Sequence, residues 1–271
     1  LINLAKNGAT AIKGNSKQKQ IVFNDLDYRK INNNNIEIYP SSIYSNKIVE
    51  IMKEGSNTAF NYNPLITQTS IGYMDSIQNV LIANTENLFV TDERTRCRLS
   101  VNAVASNENE KQTGYFGPGA MKGIEFLDTI NIKNIATEAA HSAVTMLNAK
   151  DCPSGKMPVI MDNGFGGVIF HEACGHGLEA AAIAKKASVF TDKIGEKIAS
   201  DKVTAIDDGT ISNSWGSINV DDEGIPAQKN ILIENGVLKN YMVDRFNGNK
   251  IGMKPTGSSR RESYKFIPVS R

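Results

Sequence analysis

Two of the chain's three histidines fall within one short stretch, DNGFGGVIFHEACGHGLEA at 162–180. Neutral imidazoles at His171 and His176 are good ligands for zinc. Glu172, directly after the first, is a carboxylate able to take a proton from an attacking water and hand it to a leaving amine. That is the equipment of metal-assisted peptide hydrolysis. The spacing is unusual, because the histidines are five residues apart rather than four. At about 100° per residue, five positions set two rings about 140° apart on a regular helix, against about 40° for four. One metal therefore requires a local distortion, expected as a π-type bulge at Gly175, where glycine tolerates backbone strain. Cys174, three residues after one histidine and two before the other, reads as packing. Glu179 reads either as an acceptor or ligand supporting the metal site or as part of a solvated helix face.

The elements around this stretch follow from its flanks. The apolar run at 157–161 reads as a strand, and the glycine turn at 163–167 leads from it into the motif helix. Cys152-Pro153-Ser154-Gly155 is the strongest break in the chain and sets a domain boundary. Before it, residues 134–148 form an amphipathic helix with Ile135, Ala136, Ala139, Ala140, Ala143, Val144, Met146 and Leu147 on one side and His141 on the other. His141 is thus a surface histidine. A shorter helix is expected over 45–55, capped by Ser45 or Asn46 and stopped by Gly55.

Period-two patterning runs from 64 to 105. In TRCRLSVNA, Cys97, Leu99, Val101 and Ala103 alternate with polar residues, so Cys97 faces a core and Arg94, Arg96 and Arg98 form a basic row. That row reads as a solvated sheet face, with phosphate binding as the lesser alternative. QTGYFGPGAMKG at 112–123 matches no phosphate-cradling fingerprint and reads as a loop. The polar run at 32–35 reads as a loop or a sheet-edge connection. Beyond residue 190, KVTAI at 202–206, SINV at 217–220 and a hairpin turning at Asn235 and Gly236 give a β-rich pattern.

Composition narrows the function. Thirty Lys and Arg against 29 Asp and Glu give a net charge of +1, so whole-chain electrostatics favour neither nucleic acid nor a membrane surface. No apolar run reaches the ~18 residues of a membrane span, and the first residues lack the apolar centre of a signal peptide. Three widely spaced cysteines argue for a reducing compartment, hence a cytoplasmic protein. The chain starts at Leu1 without methionine, which leaves room for a missing N-terminal piece.

Several separated blocks, among them KQTG at 111–114, CPSGKMPVIMDNGFGGVIFHEACGHGLE at 152–179, GEKIASDKVTAIDDGT at 195–210, VDDEGIPAQ at 220–228, LIENGVLKNYMVD at 232–244 and PTGSSRRESY at 255–264, resemble the TldD/PmbA family of zinc metallopeptidases, and its TldD side in particular. The family was once described as modulators of DNA gyrase. The resemblance implies an α+β fold: an N-terminal α/β domain, here residues 1–151, followed by a β-rich domain from 152 that carries the metal-motif helix. It implies Zn2+ on His171 and His176, with Glu172 as general base. The substrates it implies are short or unfolded peptides, and the partner is a PmbA/TldE-like subunit, with a homo-oligomer as the other arrangement. Arg260 and Arg261 suit peptide carbonyls or a C-terminal carboxylate, with ion pairing inside the fold as the competing reading.

The chain departs from the family pattern in two places. The family's third zinc ligand is a cysteine in a glycine-rich segment near the C-terminus, and nothing resembling that segment precedes Arg271, so the β-rich domain reads as truncated. Relatives also continue the motif with Gly-Asp where this chain has Ala180-Ala181. The alternative function is a non-catalytic binding or regulatory subunit of a TldD/PmbA-type complex.

Overall fold

The long alternating stretch becomes the spine of the first half. In the computed structural model, which describes residues 27–30, 34–40, 45–86 and 88–270, β2 (Ile66–Ala83) and β3 (Leu88–Ser106) pair antiparallel along nearly their whole length. The opposite edge of β3 is shared by three short strands. β1 (Asp27–Lys30) runs parallel to its start, β5 (Gly119–Ala120) antiparallel to its middle, and β4 (Lys111–Phe116) antiparallel to its end. The glycine-rich stretch expected as a loop is therefore largely strand.

Alternation puts Cys97, Leu99, Val101, Ala103 and Ala105 on one face, all fully buried beneath two helices. These are α1 (Ser45–Phe60) and α2 (Ile132–Leu147). α2 starts where the Asn131 side chain accepts the Asn134 backbone N–H at 3.2 Å, satisfying one of the donors a helix N-terminus leaves open. Its row of Ala136, Ala139, Ala140 and Ala143 is fully buried, and so small a row lets the helix lie close on the sheet. The closeness is measurable at Gly114 of β4, where a Cβ would fall 2.0 Å from the Ala139 carbonyl oxygen. Gly55 does not stop α1, which runs on to Phe60. A Cβ there would meet Ile132 Cδ1 at 2.7 Å, so this glycine serves helix–helix approach rather than termination.

The second half has its own core of Leu178, Ala180, Ile183, Leu232, Ile233, Leu238, Met242 and Val243. The architecture is α+β, and the strands of this half are short. β6 (Ala205–Asp208), β7 (Lys229–Glu234) and β8 (Val237–Leu238) form a three-stranded sheet, and β9 (Ser259–Arg260) pairs with β10 (Val269–Ser270). Asn235 and Gly236 turn the β7–β8 hairpin with φ of 48° and 80°, the left-handed pair that a type I′ turn needs. SINV at 217–220 forms no strand beyond an isolated bridge from Val220 to Pro226. The apolar run at 157–161 is not a strand either: no neighbouring edge pairs with it, and Val159 and Ile160 are 73% and 99% exposed.

Three further short helices punctuate this half, α3 (Val168–Ala173), α4 (Ala180–Ala184) and α5 (Arg245–Ile251). Asp244 caps α5 by accepting the Asn247 N–H at 2.9 Å, and Gly252 ends it in the left-handed region.

The basic row on β3 is not a wet face. Arg94 is buried and spends its guanidinium on Asp92 Oδ2 at 3.0 Å, Asp222 Oδ1 at 2.7 Å and the Val220 carbonyl at 2.9 Å. Arg98 lies 5.4 Å from the centroid of the Trp215 ring. The second half thus closes over the row at Arg94 and packs Trp215 against Arg98, leaving Arg96 half-buried, which a pattern local to β3 could not reveal. Asn34 joins the same seam, buried, with its Oδ1 accepting from the Asn213 backbone N–H and the Ser217 hydroxyl. The polar run around it is therefore partly a buried connector, while Asn32 and Asn33 lie outside the described residues.

Candidate metal centre

α3 contributes His171 and Glu172 from its last turn. The Cys174 N–H still reaches the Phe170 carbonyl at 2.9 Å, closing the final helical turn, but Cys174 itself sits at φ −128° and ψ −47°. The chain leaves the α-helix there and tightens into a 3-10 turn over Gly175–Leu178. This break replaces the expected π bulge. It has the same consequence, for the His171 and His176 rings come within 4.5 Å between centroids.

Gly175 is not the strained position. Its φ is not positive, and a Cβ on it would make only ordinary contact, 3.5 Å from His171 Nδ1. The distortion is imposed from the far side. Leu178 and Ala180 are drawn fully into the second core, while the Ala180 N–H reaches the Met242 carbonyl at 2.8 Å and the Met242 N–H reaches the Leu178 carbonyl at 2.9 Å. Cys174 packs against the same core, and burial pushes its thiol above the usual range, away from the thiolate a metal would need.

His171, Glu172 and His176 each offer one ligand atom within 4.8 Å of the others. With metal–ligand bonds of about 2.0–2.1 Å, tetrahedral donors sit roughly 3.4 Å apart, so small side-chain rotations would bring the two histidines onto one ion with the Glu172 carboxylate beside it. His176 Nε2 lies 3.6 Å from Glu172 Oε2. On the other side of the same ring, His176 Nδ1 is 2.6 Å from Glu179 Oε1. A carboxylate only accepts, so Nδ1 donates to Glu179, and Nε2 is the ring nitrogen left on the side of Glu172. Glu179 is mostly shielded, with 15% of its side chain exposed, whereas Glu172 is 63% exposed and open to solvent. The residues present fit a metal ion.

The remaining candidates fall elsewhere. His141 is exposed on α2 with Nδ1 2.9 Å from the Tyr62 hydroxyl. Arg260 and Arg261 line a cleft of about 850 Å³ whose walls include Arg94, Arg96 and Trp215 but none of the three metal-competent residues. The sequence reading missed Arg96 as a partner for Arg260. The available signal was the alternation that puts Arg96 beside Arg94, read there as a solvated face.

Two sequence profiles match the chain. The PmbA/TldA metallopeptidase central domain covers residues 38–147 and the PmbA/TldA metallopeptidase C-terminal domain covers 154–271. The chain is similar to a metalloprotease TldD homolog of Buchnera aphidicola, 35% identical over 269 residues, covering 96% of this chain and 54% of the relative. A metalloprotease TldD homolog of Haemophilus influenzae is 37% identical over 235 residues, covering 85% and 49%. The chain spans about half the length of the curated relatives it matches. In fold it resembles the crystal structure of TldE from Thermococcus kodakarensis, with a TM-score of 0.71 at 20% identity over 99% of this chain and 59% of the other.

Proposed function

This chain belongs to the PmbA/TldD metallopeptidase family, and from that premise we propose that it is the metal-binding part of a zinc-dependent peptidase acting on short or unfolded peptides. The observation that carries the reading is the convergence of His171, Glu172 and His176 within 4.8 Å, with the far nitrogen of His176 held by Glu179. His171 and His176 would hold the ion through ring nitrogens. A divalent ion bound there would supply Lewis acidity toward a peptide carbonyl and toward water.

The chain's own groups do the rest. Glu179 fixes the tautomer and the orientation of His176, which keeps Nε2 available as a ligand and raises its basicity. Glu172, solvent-facing beside that nitrogen, takes the proton of the attacking water and returns it to the departing amine.

Several further assignments belong to the same proposal. The halves before and after Cys152 are two domains, supported by cores that share no residue. The partner is a PmbA/TldE-like subunit or a second copy of the chain, supported by the shared fold with TldE. The location is cytoplasmic, supported by three free cysteines. Among the described residues no helix is long and apolar enough to cross a membrane.

Substituting Glu172→Gln tests the reading. Zinc content by metal analysis is expected to stay near wild type while cleavage of an unstructured peptide falls by at least about 100-fold, the size of a lost general base. Full turnover in that variant overturns the mechanism. A non-catalytic subunit would instead show no stoichiometric zinc for His171→Ala to remove.

A further inference from the structure

Apart from the metal centre, the cleft between β2, β3 and the loop after β9 is lined by an excess of basic side chains. Four arginines line it, Arg94, Arg96, Arg260 and Arg261, against two carboxylates, Asp222 and Glu262. Arg94 is fully engaged with Asp92, Asp222 and the Val220 carbonyl. Arg96 and Arg260 are not. Arg96 makes a single long contact, Nε to the Trp215 carbonyl at 3.5 Å, and among the described residues no carboxylate lies within ion-pair distance of either guanidinium. Both are half-buried, and burial together with neighbouring arginines lowers both their pKa values.

The acidic groups facing Arg260 are committed elsewhere. Asp222 bonds Arg94 and the Arg261 backbone N–H, Asp221 accepts three backbone N–H groups, and Asp207 accepts from Asn230. Two half-buried cations with no direct ion-pair partner among the described residues are costly unless something anionic completes them. The rest of the wall is organic in character, with Trp215, Tyr264, Val80 and Leu81 beside the guanidiniums. A bare inorganic ion would leave those surfaces unused, whereas a carboxylate carried on a peptide would use both.

We propose that Arg96 and Arg260 form a subsite for a carboxylate of a bound peptide, either its C-terminus or an acidic side chain. That the carrier is a peptide rests on the peptidase reading; the anion site itself does not. Trp215 is the chain's only tryptophan and lines the cleft, so its fluorescence reports occupancy directly.

The test titrates the metal-free Glu172→Gln chain, which cannot cleave, with three acetylated hexa-alanine probes: a free acid, its amide, and an amide with one internal aspartate. The free acid or the aspartate peptide is expected to perturb Trp215 saturably, at least about 10-fold more tightly than the plain amide, and more weakly as salt rises. Which of the two binds better identifies the source of the carboxylate. Arg96→Gln and Arg260→Gln should each weaken that binding by about 10-fold or more with the circular dichroism spectrum unchanged. Equal affinity for all three probes in the Arg-intact chain overturns the proposal without any arginine variant. Inorganic phosphate binding as tightly as the best peptide overturns it too. Because no metal and no turnover enter the measurement, failure of the peptidase mechanism and failure of this subsite are separately visible.

Discussion

At the scale of single residues, the decisive contact is the 2.6 Å bond between His176 Nδ1 and Glu179 Oε1. Carboxylates behind a ligating histidine typically change metal affinity by 10–100-fold. Glu179→Ala is therefore expected to weaken zinc binding by about that factor in a competition assay with a chromophoric chelator, while the fold is retained. A solvated helix face, the other reading open from sequence, would leave affinity unchanged. The residue types at this site were legible from the one-dimensional pattern, and the need for a distortion followed from the five-residue spacing. Its position was not legible. Cys174 leaves the helix because Leu178 and Ala180 are tied to Met242, and a pull from more than sixty positions away leaves no trace in a short motif.

At the scale of elements, the period-two stretch gave β2 and β3 and the alanine-rich periodicity gave α2, because each burial pattern belongs to its own segment. Glycines were harder to read. Gly55 and Gly114 sit where backbones or helices approach, not where they stop, and a sequence without its neighbours shows only the glycine. Gly114→Ala puts a methyl 2.0 Å from a backbone oxygen of α2, a contact that no side-chain rotation relieves. Overpacking of this kind typically costs about 1–3 kcal/mol, and a clash against backbone belongs at or above the upper end. Urea unfolding should show a midpoint lowered accordingly, with the m-value unchanged if the folded state keeps its compactness. A midpoint within error of wild type would mean that α2 does not lie on β4 as described.

At the scale of the whole molecule, the two cores are joined through a polar seam rather than through shared apolar packing. Arg94 is its centre, with side chains of Arg94 and Asp92 that are 4% and 0% exposed. Removing one partner of a buried pair strands the other charge and typically costs about 3–5 kcal/mol. Arg94→Ala is expected to uncouple the halves, so that calorimetry shows two resolved transitions where the unsubstituted chain shows closer cooperativity. A single transition shifted as a unit would contradict that picture. The seam escaped sequence reading for a physical reason: alternation shows that a face is polar but not whether water or another part of the chain covers it.

The strip leading into the metal centre has a thermodynamic consequence of its own. Val159, Ile160 and Phe165 are 73%, 99% and 89% exposed, so solvent hydrates large apolar side chains on the segment that precedes α3. Hydration of that kind carries its signature in heat capacity rather than in enthalpy near room temperature. Any surface that covers the strip, a substrate backbone included, would release that water and make the heat capacity of binding more negative. The temperature dependence of a binding enthalpy would thus report how much of the strip is dried, even with the ionic contacts unchanged.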